Sequence, residues 1–271
     1  MYRTLRGILG GELRFLVSGG GPLQARLNHF YNGVGVKVLE GYGMTETSPV
    51  MTVNADHASR VGTVGQPVAD TTVRIAEDGE ILVKGPQVLR GYWHNEASTK
   101  GAFTEDGWLK TGDLGSLDAE GYLRITGRKK EILVTAAGKN VAPGPLEDRI
   151  REHPLVSQAM VVGEGKPFVA ALVTIDPGAF KHWAKKNGKE GQALESLCED
   201  TGLRAEVEHA IEGANRSVSR AESIRKFVIL PQDFTIERNE LTPSLKVRRH
   251  VVSQNHAAAI EALFAKGGGG D

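Results

Sequence analysis

Apolar residues in the first part of the chain come in short runs, each closed by glycine. Residues 13–17 form one run that stops at Ser18-Gly19-Gly20-Gly21-Pro22, which predicts a buried strand entering a tight loop. Pro22 suits a first helical position, and Leu23, Leu27 and Phe30 fall on one helical face. Residues 34–39 predict a second strand, which runs into Glu40-Gly41-Tyr42-Gly43-Met44-Thr45-Glu46-Thr47. Two strands that each end in a glycine-bearing loop predict the ligand edge of an open α/β sheet.

The pattern changes twice more. From about residue 56, Val73 and Ile75 alternate with polar residues, Ala76-Glu77-Asp78-Gly79 is a turn signal, and residues 80–83 resume as a strand. Residues 56–127 therefore predict a β-rich unit, a small barrel or a distorted sheet. Beyond Gly127-Arg128-Lys129-Lys130, residues 145–152 predict a short helix with Leu146 and Ile150 inward. Residues 156–162 and 168–175 predict two strands joined by a glycine-proline turn, and 227–230 a last strand. The intervening segment is polar and helical, with Leu203, Val207, Ile211, Ala214 and Val218 on one face. The expected organisation is a partial α/β subdomain (1–55), a β-barrel-like subdomain (56–127), an α+β C-terminal domain (128–266) and a disordered glycine tail (267–271).

Composition narrows the function. Lys plus Arg and Asp plus Glu are both 33 in 271 residues, so no strongly basic surface for nucleic acid organises the chain. Hydrophobic residues at 40% suit folded domains, and a single cysteine, Cys198, excludes an internal disulfide. No run of about 18 apolar residues predicts a membrane span. Histidine and cysteine show no zinc-ligand spacing.

Candidate chemistry lies in the loops. Gly19, Gly20 and Gly21 allow backbone to lie against a planar or phosphate-bearing ligand; the alternative is a plain strand-to-helix turn. Thr45 and Glu46 set a hydroxyl beside a carboxylate after a glycine turn, suited to a phosphate oxygen and a hard cation, while Tyr42 could stack on a base. Alternatively Thr45 and Glu46 open a helix as cap and first-turn acid. Asp113, between two glycines in Thr111-Gly112-Asp113-Leu114-Gly115, could accept two ribose hydroxyls or simply serve a β-turn. Lys246 lies in a cationic run that by itself reads as a solvated face. The same holds for Lys181, Lys185, Lys186 and Lys189 around Trp183, though acidic lipid is a second reading.

Taken together, Ser18-Gly-Gly-Gly-Pro22, Gly41-Tyr-Gly-Met-Thr-Glu46, Gly79-Glu-Ile-Leu-Val-Lys-Gly85, Gly91-Tyr-Trp93, Trp108-Leu-Lys-Thr-Gly-Asp113, Gly127-Arg-Lys-Lys130 and Leu241-Thr-Pro-Ser-Leu-Lys246 resemble, in order, the adenylate-forming superfamily. The forms Gly127-Arg-Lys-Lys-Glu131, Val141-Ala-Pro143 and Leu241-Thr-Pro-Ser-Leu-Lys246, with the helical segment around 180–222, are most similar to its long-chain fatty acyl-CoA synthetase branch. The resemblance covers residues 8–252. It implies a mixed α/β and α+β fold with a small mobile C-terminal domain. It also implies activation of a fatty acid by ATP to acyl-adenylate, followed by transfer to the thiol of coenzyme A. The roles implied are an adenine and acyl pocket wall for Gly19, Gly20 and Gly21, nucleotide binding for Gly41 and Gly43, and adenine stacking for Tyr42. Thr45 would meet the α-phosphate, Glu46 Mg²⁺, and Asp113 with Arg128 the ribose. Lys246 would lie between the attacking carboxylate and the α-phosphate, Lys130 would be a hinge, and Gly138 would lie near the thiol channel. A cytoplasmic or membrane-peripheral setting follows from the same resemblance.

The family carries a Ser/Thr/Gly-rich phosphate loop upstream of the first motif, and this sequence has none. The expectation is therefore a C-terminal half of the site, whose sheet edges an N-terminal half or an oligomer would cover. The alternative is a non-catalytic nucleotide- or CoA-binding fragment. Joint retention of Thr45, Glu46, Asp113, Arg128 and Lys246 favours descent from a working enzyme.

Overall fold

The computed structural model describes residues 2–265, so the expected tail at 267–271 lies outside them. The chain divides into two compact units, one ending at Lys130 and the other beginning at Glu131.

In the first unit, α1 (Tyr2–Ile8) precedes β1 (Phe15–Ser18), α2 (Ala25–Gly33), β2 (Lys37–Tyr42) and the short strands β3 (Thr52–Val53) and β4 (Gln66–Pro67). β1 and β2 run parallel with Phe15 opposite Lys37, and β2, β3 and β4 continue antiparallel, with β1 at the edge. A second sheet has strand order β5 (Thr72–Ile75), β6 (Glu80–Lys84), β7 (Leu109–Leu117) and β8 (Leu123–Arg128), all antiparallel, with α3 (Glu96–Ala102) between β6 and β7. Register shifts in the β6–β7 and β7–β8 pairs make it a distorted open sheet. Its core is Met51, Val64, Val73, Ile81, Val83, Leu109 and Leu123, with Tyr42 and Met44 packed against it.

Pro22 does not open a helix. The Leu23 amide donates to Glu40 Oε1 at 3.1 Å, which ties the chain to β2, and α2 begins at Ala25 after an extended Gln24. Nor do Leu27 and Phe30 face a core: they are 38% and 50% exposed, and Asn28 is the buried residue of α2.

The second unit opens with a small hairpin, β9 (Leu133–Val134) and β10 (Asn140–Val141), and α4 (Pro143–Ile150). Its sheet is β11 (Val156–Val162), β12 (Val169–Ile175) and β13 (Ile224–Ile229), with β12 central, antiparallel to β11 and parallel to β13. Between β12 and β13 lie α5 (Pro177–Lys186), α6 (Leu194–Leu197) and α7 (Thr201–Asn215); α8 (Arg249–Asn255) and α9 (Ala257–Phe264) end the unit. All seven residues of β12 are buried. Val169, Ala171, Val173 and Ile175 join one cluster with Leu146, Ile150, Leu203, Val207 and Ile211. Ala170 and Leu172 join another with Phe234, Val252 and Leu263. Side-chain alternation thus feeds two cores, which explains why β12 reads as unbroken apolar sequence. Asp176 and Asp200 cap α5 and α7 by accepting backbone amides at 2.7 to 3.1 Å. Trp183 is in the core, and Lys189 pairs with Asp200 rather than standing free. Val218 lies beyond the end of α7 but still packs at the cluster margin. Among the described residues no helix is long and apolar enough to cross a membrane.

Candidate functional site

The antiparallel register of β7 and β8 sets Asp113 opposite Arg128. Arg128 Nε donates to Asp113 Oδ1 at 3.0 Å, and the Tyr42 hydroxyl, from the end of β2, donates to Oδ2. Below them the Thr111 hydroxyl donates to the Ile81 carbonyl at 2.8 Å and accepts the Asp113 amide at 3.1 Å. Glu80, buried on β6, accepts the Gly112 amide at 2.9 Å through Oε1 and Lys129 Nζ at 2.8 Å through Oε2. Burial, then the Asp113 charge beside it, pushes the Tyr42 phenol far above its ordinary range, so it remains a donor. Hydrogen bonds to Asp78 and Glu80 push Lys129 up to about 12. Each carboxylate oxygen can accept more than one bond, so Asp113 keeps acceptor capacity beyond Tyr42 and Arg128. The Tyr42 hydroxyl is thus used to hold Asp113.

After β2 the chain makes a tight turn into a single 3₁₀ turn, Thr45–Thr47. A Cβ at Gly43 would lie 1.8 Å from the Pro49 carbonyl oxygen, so only glycine fits. The two threonines have different work. Buried Thr47 caps the turn: its hydroxyl accepts the Met44 amide and donates toward the Met44 and Pro49 carbonyls, at 3.0 to 3.1 Å. Thr45 is exposed and its hydroxyl has no hydrogen-bond partner among the described residues, so it is not the cap. Glu46 is half-buried. Its Oε1 accepts the Tyr92 hydroxyl at 3.0 Å, its carbonyl accepts the Leu89 amide at 2.8 Å, and Oε2 has no protein partner among the described residues.

The loop after β1 is open. A Cβ at Gly20 or Gly21 would meet nothing within 4 Å, and at Gly19 only the Gly41 carbonyl at 3.7 Å; a Cβ at Gly41 would press on the Thr52 carbonyl at 3.2 Å. Packing requires Gly43 but not Gly21.

Lys130 is exposed and closes the first unit. The remaining two candidates belong to the second. Gly138 lies in the β9–β10 turn at φ +75°, its amide donating to the Thr135 carbonyl at 2.8 Å. Lys246 is exposed on a loop closed by the Leu241–Val247 bridge, and its ammonium has no ion pair among the described residues. The structure therefore joins Tyr42, Asp113 and Arg128 in one bonded cluster, gives Glu46 a Tyr92 partner, and leaves Thr45 and Lys246 unengaged. Sequence reasoning missed Tyr92 and Glu80 as supports. Both lie in motifs of the sequence, but only the fold shows what they hold: Glu80 reaches across β6–β7 and Tyr92 reaches from a loop to the Glu46 turn. Among the described residues no three or more His, Cys, Asp or Glu gather to hold a metal; Glu46 offers one free carboxylate oxygen.

Residues 4–93 match the family model described as AMP-binding enzyme, and residues 130–267 match that of the AMP-binding enzyme C-terminal domain. The long-chain-fatty-acid–CoA ligase FadD15 of Mycobacterium tuberculosis is 55% identical over 267 residues, 98% of this chain and 44% of that protein. The chicken (Gallus gallus) long-chain-fatty-acid–CoA ligase ACSBG2 is 34% identical over 98% of this chain and 38% of its own length. The chain thus spans less than half the length of these curated relatives. Among solved structures, ATP-bound MatB from Rhodopseudomonas palustris aligns with TM-score 0.68 and 30% identity over 91% of this chain and 46% of its own. The A domain of carboxylic acid reductase from Segniliparus rugosus, in complex with AMP and a co-purified carboxylic acid, aligns with TM-score 0.75 and 25% identity over 97% and 41%. With both family models matched in chain order along this scaffold, the chain belongs to the AMP-binding, adenylate-forming enzymes.

Proposed function

We propose that this chain carries the C-terminal part of a fatty-acid–CoA ligase. The reaction joins a long-chain carboxylate to the α-phosphate of ATP, releasing pyrophosphate, and then passes the acyl group to the thiol of coenzyme A, releasing AMP. The observation that carries the reading is the division of polar side chains between engaged and free. Asp113 is held from two sides by Tyr42 and Arg128, while Thr45 Oγ1, Glu46 Oε2 and Lys246 Nζ have no partner among the described residues.

In this reading Asp113 accepts the ribose hydroxyls, Arg128 steadies it, and the Tyr42 ring borders the adenine. The open Gly19-Gly20-Gly21 loop, free of packing demand, lets backbone approach the nucleotide. Thr45 donates to the α-phosphate. Mg²⁺ commonly takes one or two carboxylates plus substrate phosphates, so the single free oxygen of Glu46 fits it; bound there, it would neutralise phosphate charge. Lys246 sits between two anions that must meet, and offsets their repulsion as charge develops. The division after Lys130 supports a hinge at that residue, which would exchange Lys246 for the Gly138 turn between the half-reactions.

The test is palmitate-dependent pyrophosphate release from ATP and Mg²⁺. It is run on the chain alone and with the preceding portion of a full-length relative added in trans. Release in the supplemented arm, lowered at least about 100-fold by Lys246→Ala, is expected. No release in either arm, with both pieces folded and AMP bound, would leave a nucleotide-binding fragment as the better reading.

A further inference from the structure

Glu240 is the one fully buried charged side chain among the described residues, with 0% exposure, and it sits six residues before Lys246. Its carboxylate is saturated. Oε1 meets Asn255 Nδ2 at 3.2 Å and His256 Nε2 at 3.0 Å; Oε2 accepts Arg238 Nε at 2.9 Å and the Thr235 amide at 3.3 Å. Arg238 in turn donates to the Gln232 side chain and the Asp233 carbonyl. The Glu240 carbonyl accepts the Arg248 amide at 2.7 Å, which closes the base of the loop. Just above that base Leu241 and Val247 pack in the cluster with Phe234, and the Leu241 amide donates to the Thr235 carbonyl at 3.1 Å; the tip beyond them is held, among the described residues, only by bonds within the loop. Thr242 and Lys246 exchange bonds at 2.8 and 3.0 Å, and Leu245 is in the left-handed region and 61% exposed. On the far side Arg249 donates to Glu147 at 2.7 Å and to the Val161 carbonyl at 2.6 Å.

Buried ion pairs rarely add net stability over apolar residues of the same shape, so this arrangement calls for another reason. What it does achieve is geometric. Donors from the 232–238 segment and from the α8–α9 junction converge on one carboxylate at the root of the Lys246 loop. We infer that Glu240 is a positioning residue for Lys246: it clamps the loop's base so that an exposed, otherwise untethered ammonium is presented in one pose. The inference rests on the reading of Lys246 given above.

The test compares Glu240→Gln, which turns one acceptor into a donor facing Asn255 and His256, with His256→Leu and His256→Gln. The last keeps a donor for Oε1. Hydrogen exchange on the whole chain is expected to speed up about tenfold or more at the amides of residues 245–248 in Glu240→Gln and His256→Leu. His256→Gln should restore protection, and β12 amides should be unchanged in all three. In the supplemented assay, pyrophosphate release should fall about 100-fold in kcat with KM for ATP unchanged, as expected when a reacting group is misplaced by about an ångström. Transfer from preformed acyl-adenylate to coenzyme A should stay near the parent rate. Unchanged loop exchange, or loop and β12 amides loosening together, overturns the inference. Since exchange needs no catalysis, a failure of Lys246→Ala to affect release would sink the functional reading separately.

Discussion

Two strands of this protein that each sit in a parallel pair, β1 at the edge of the first unit's sheet and β12 at the centre of the second's, use similar side chains to opposite effect. Every residue of β12 is buried, with helices supplying a core to each face. No residue of β1 is buried: Phe15 is 44% exposed and Val17 66%, and Leu27 and Phe30 of α2, which packs against β2, are exposed too. Apolar residue type signals a demand for a partner. Whether the demand is met depends on a second layer, and β1 has none among the described residues. Stability should therefore be strongly uneven along the chain.

Core truncation tests this with the largest effect. Leu203→Ala in α7, at 0% exposure, should cost about 2–5 kcal/mol in urea unfolding of the second unit. Val17→Ala should change little, within about 0.5 kcal/mol, because its side chain gains almost nothing on folding. Comparable losses at both positions would refute the contrast. Amide exchange would give the same ranking without mutation, with β12 slowest and β1 fast.

The unevenness also explains what the amino-acid pattern disclosed. In the second unit Leu146, Ile150, Leu203, Val207 and Ile211 were legible as core because each lies on an amphipathic face that a sheet covers. In the first unit the same reasoning misplaced α2. Pro22 and the spacing of Leu23, Leu27 and Phe30 favoured a helix start, but one long-range bond from the Leu23 amide to Glu40 prevailed. Such a bond leaves no local trace. The site divides in the same way. Asp113, Arg128, Thr45 and Glu46 were visible as motif residues, whereas the Tyr42 hydroxyl, Tyr92, Glu80 and Glu240 act through partners 71, 46, 32 and up to 16 positions away, respectively. Spacing rules work over a helical turn or a hairpin, so those roles required the fold.

Glycine gives a second, smaller contrast. Gly43→Ala forces a Cβ into the Pro49 carbonyl, and should cost about 1–3 kcal/mol of stability in the first unit, as overpacking does. Gly21→Ala meets open space and should leave unfolding unchanged within about 0.5 kcal/mol, while weakening AMP binding measured by calorimetry. Loss of stability at Gly21, or unaltered AMP affinity, would remove the argument that this loop is shaped for a ligand.

The smallest effect separates two carboxylates of the second unit. Burial alone would raise the Glu240 carboxyl, but the donors from Asn255, Arg238 and His256 hold it below the ordinary range. Its contribution to stability is therefore present above the unfolded-state value and is lost as pH falls through the lower folded-state value. Glu147 has the opposite sign. Burial raises it despite the pull of Arg249 and the Val161 amide. Its contribution is present below the unfolded-state value and is lost as pH rises through the higher folded-state one. Unfolding free energies measured from acid to neutral pH should show this as two separate slopes. Glu240→Gln should flatten the acid limb, and Glu147→Gln should flatten the fall that begins above the ordinary carboxylate range. Each change should amount to about 1.4 kcal/mol per pKa unit of displacement. Glu240 and Arg249, the partner of Glu147, stand at the two ends of the Lys246 loop; protonation weakens both carboxylate contacts, so the loop is held from both ends where both carboxylates are ionised, although ionising Glu147 in its buried place lowers overall stability. If both substitutions flattened the same limb, the two clamps would be electrostatically alike and Glu240 would lose its distinct place at the root of the loop.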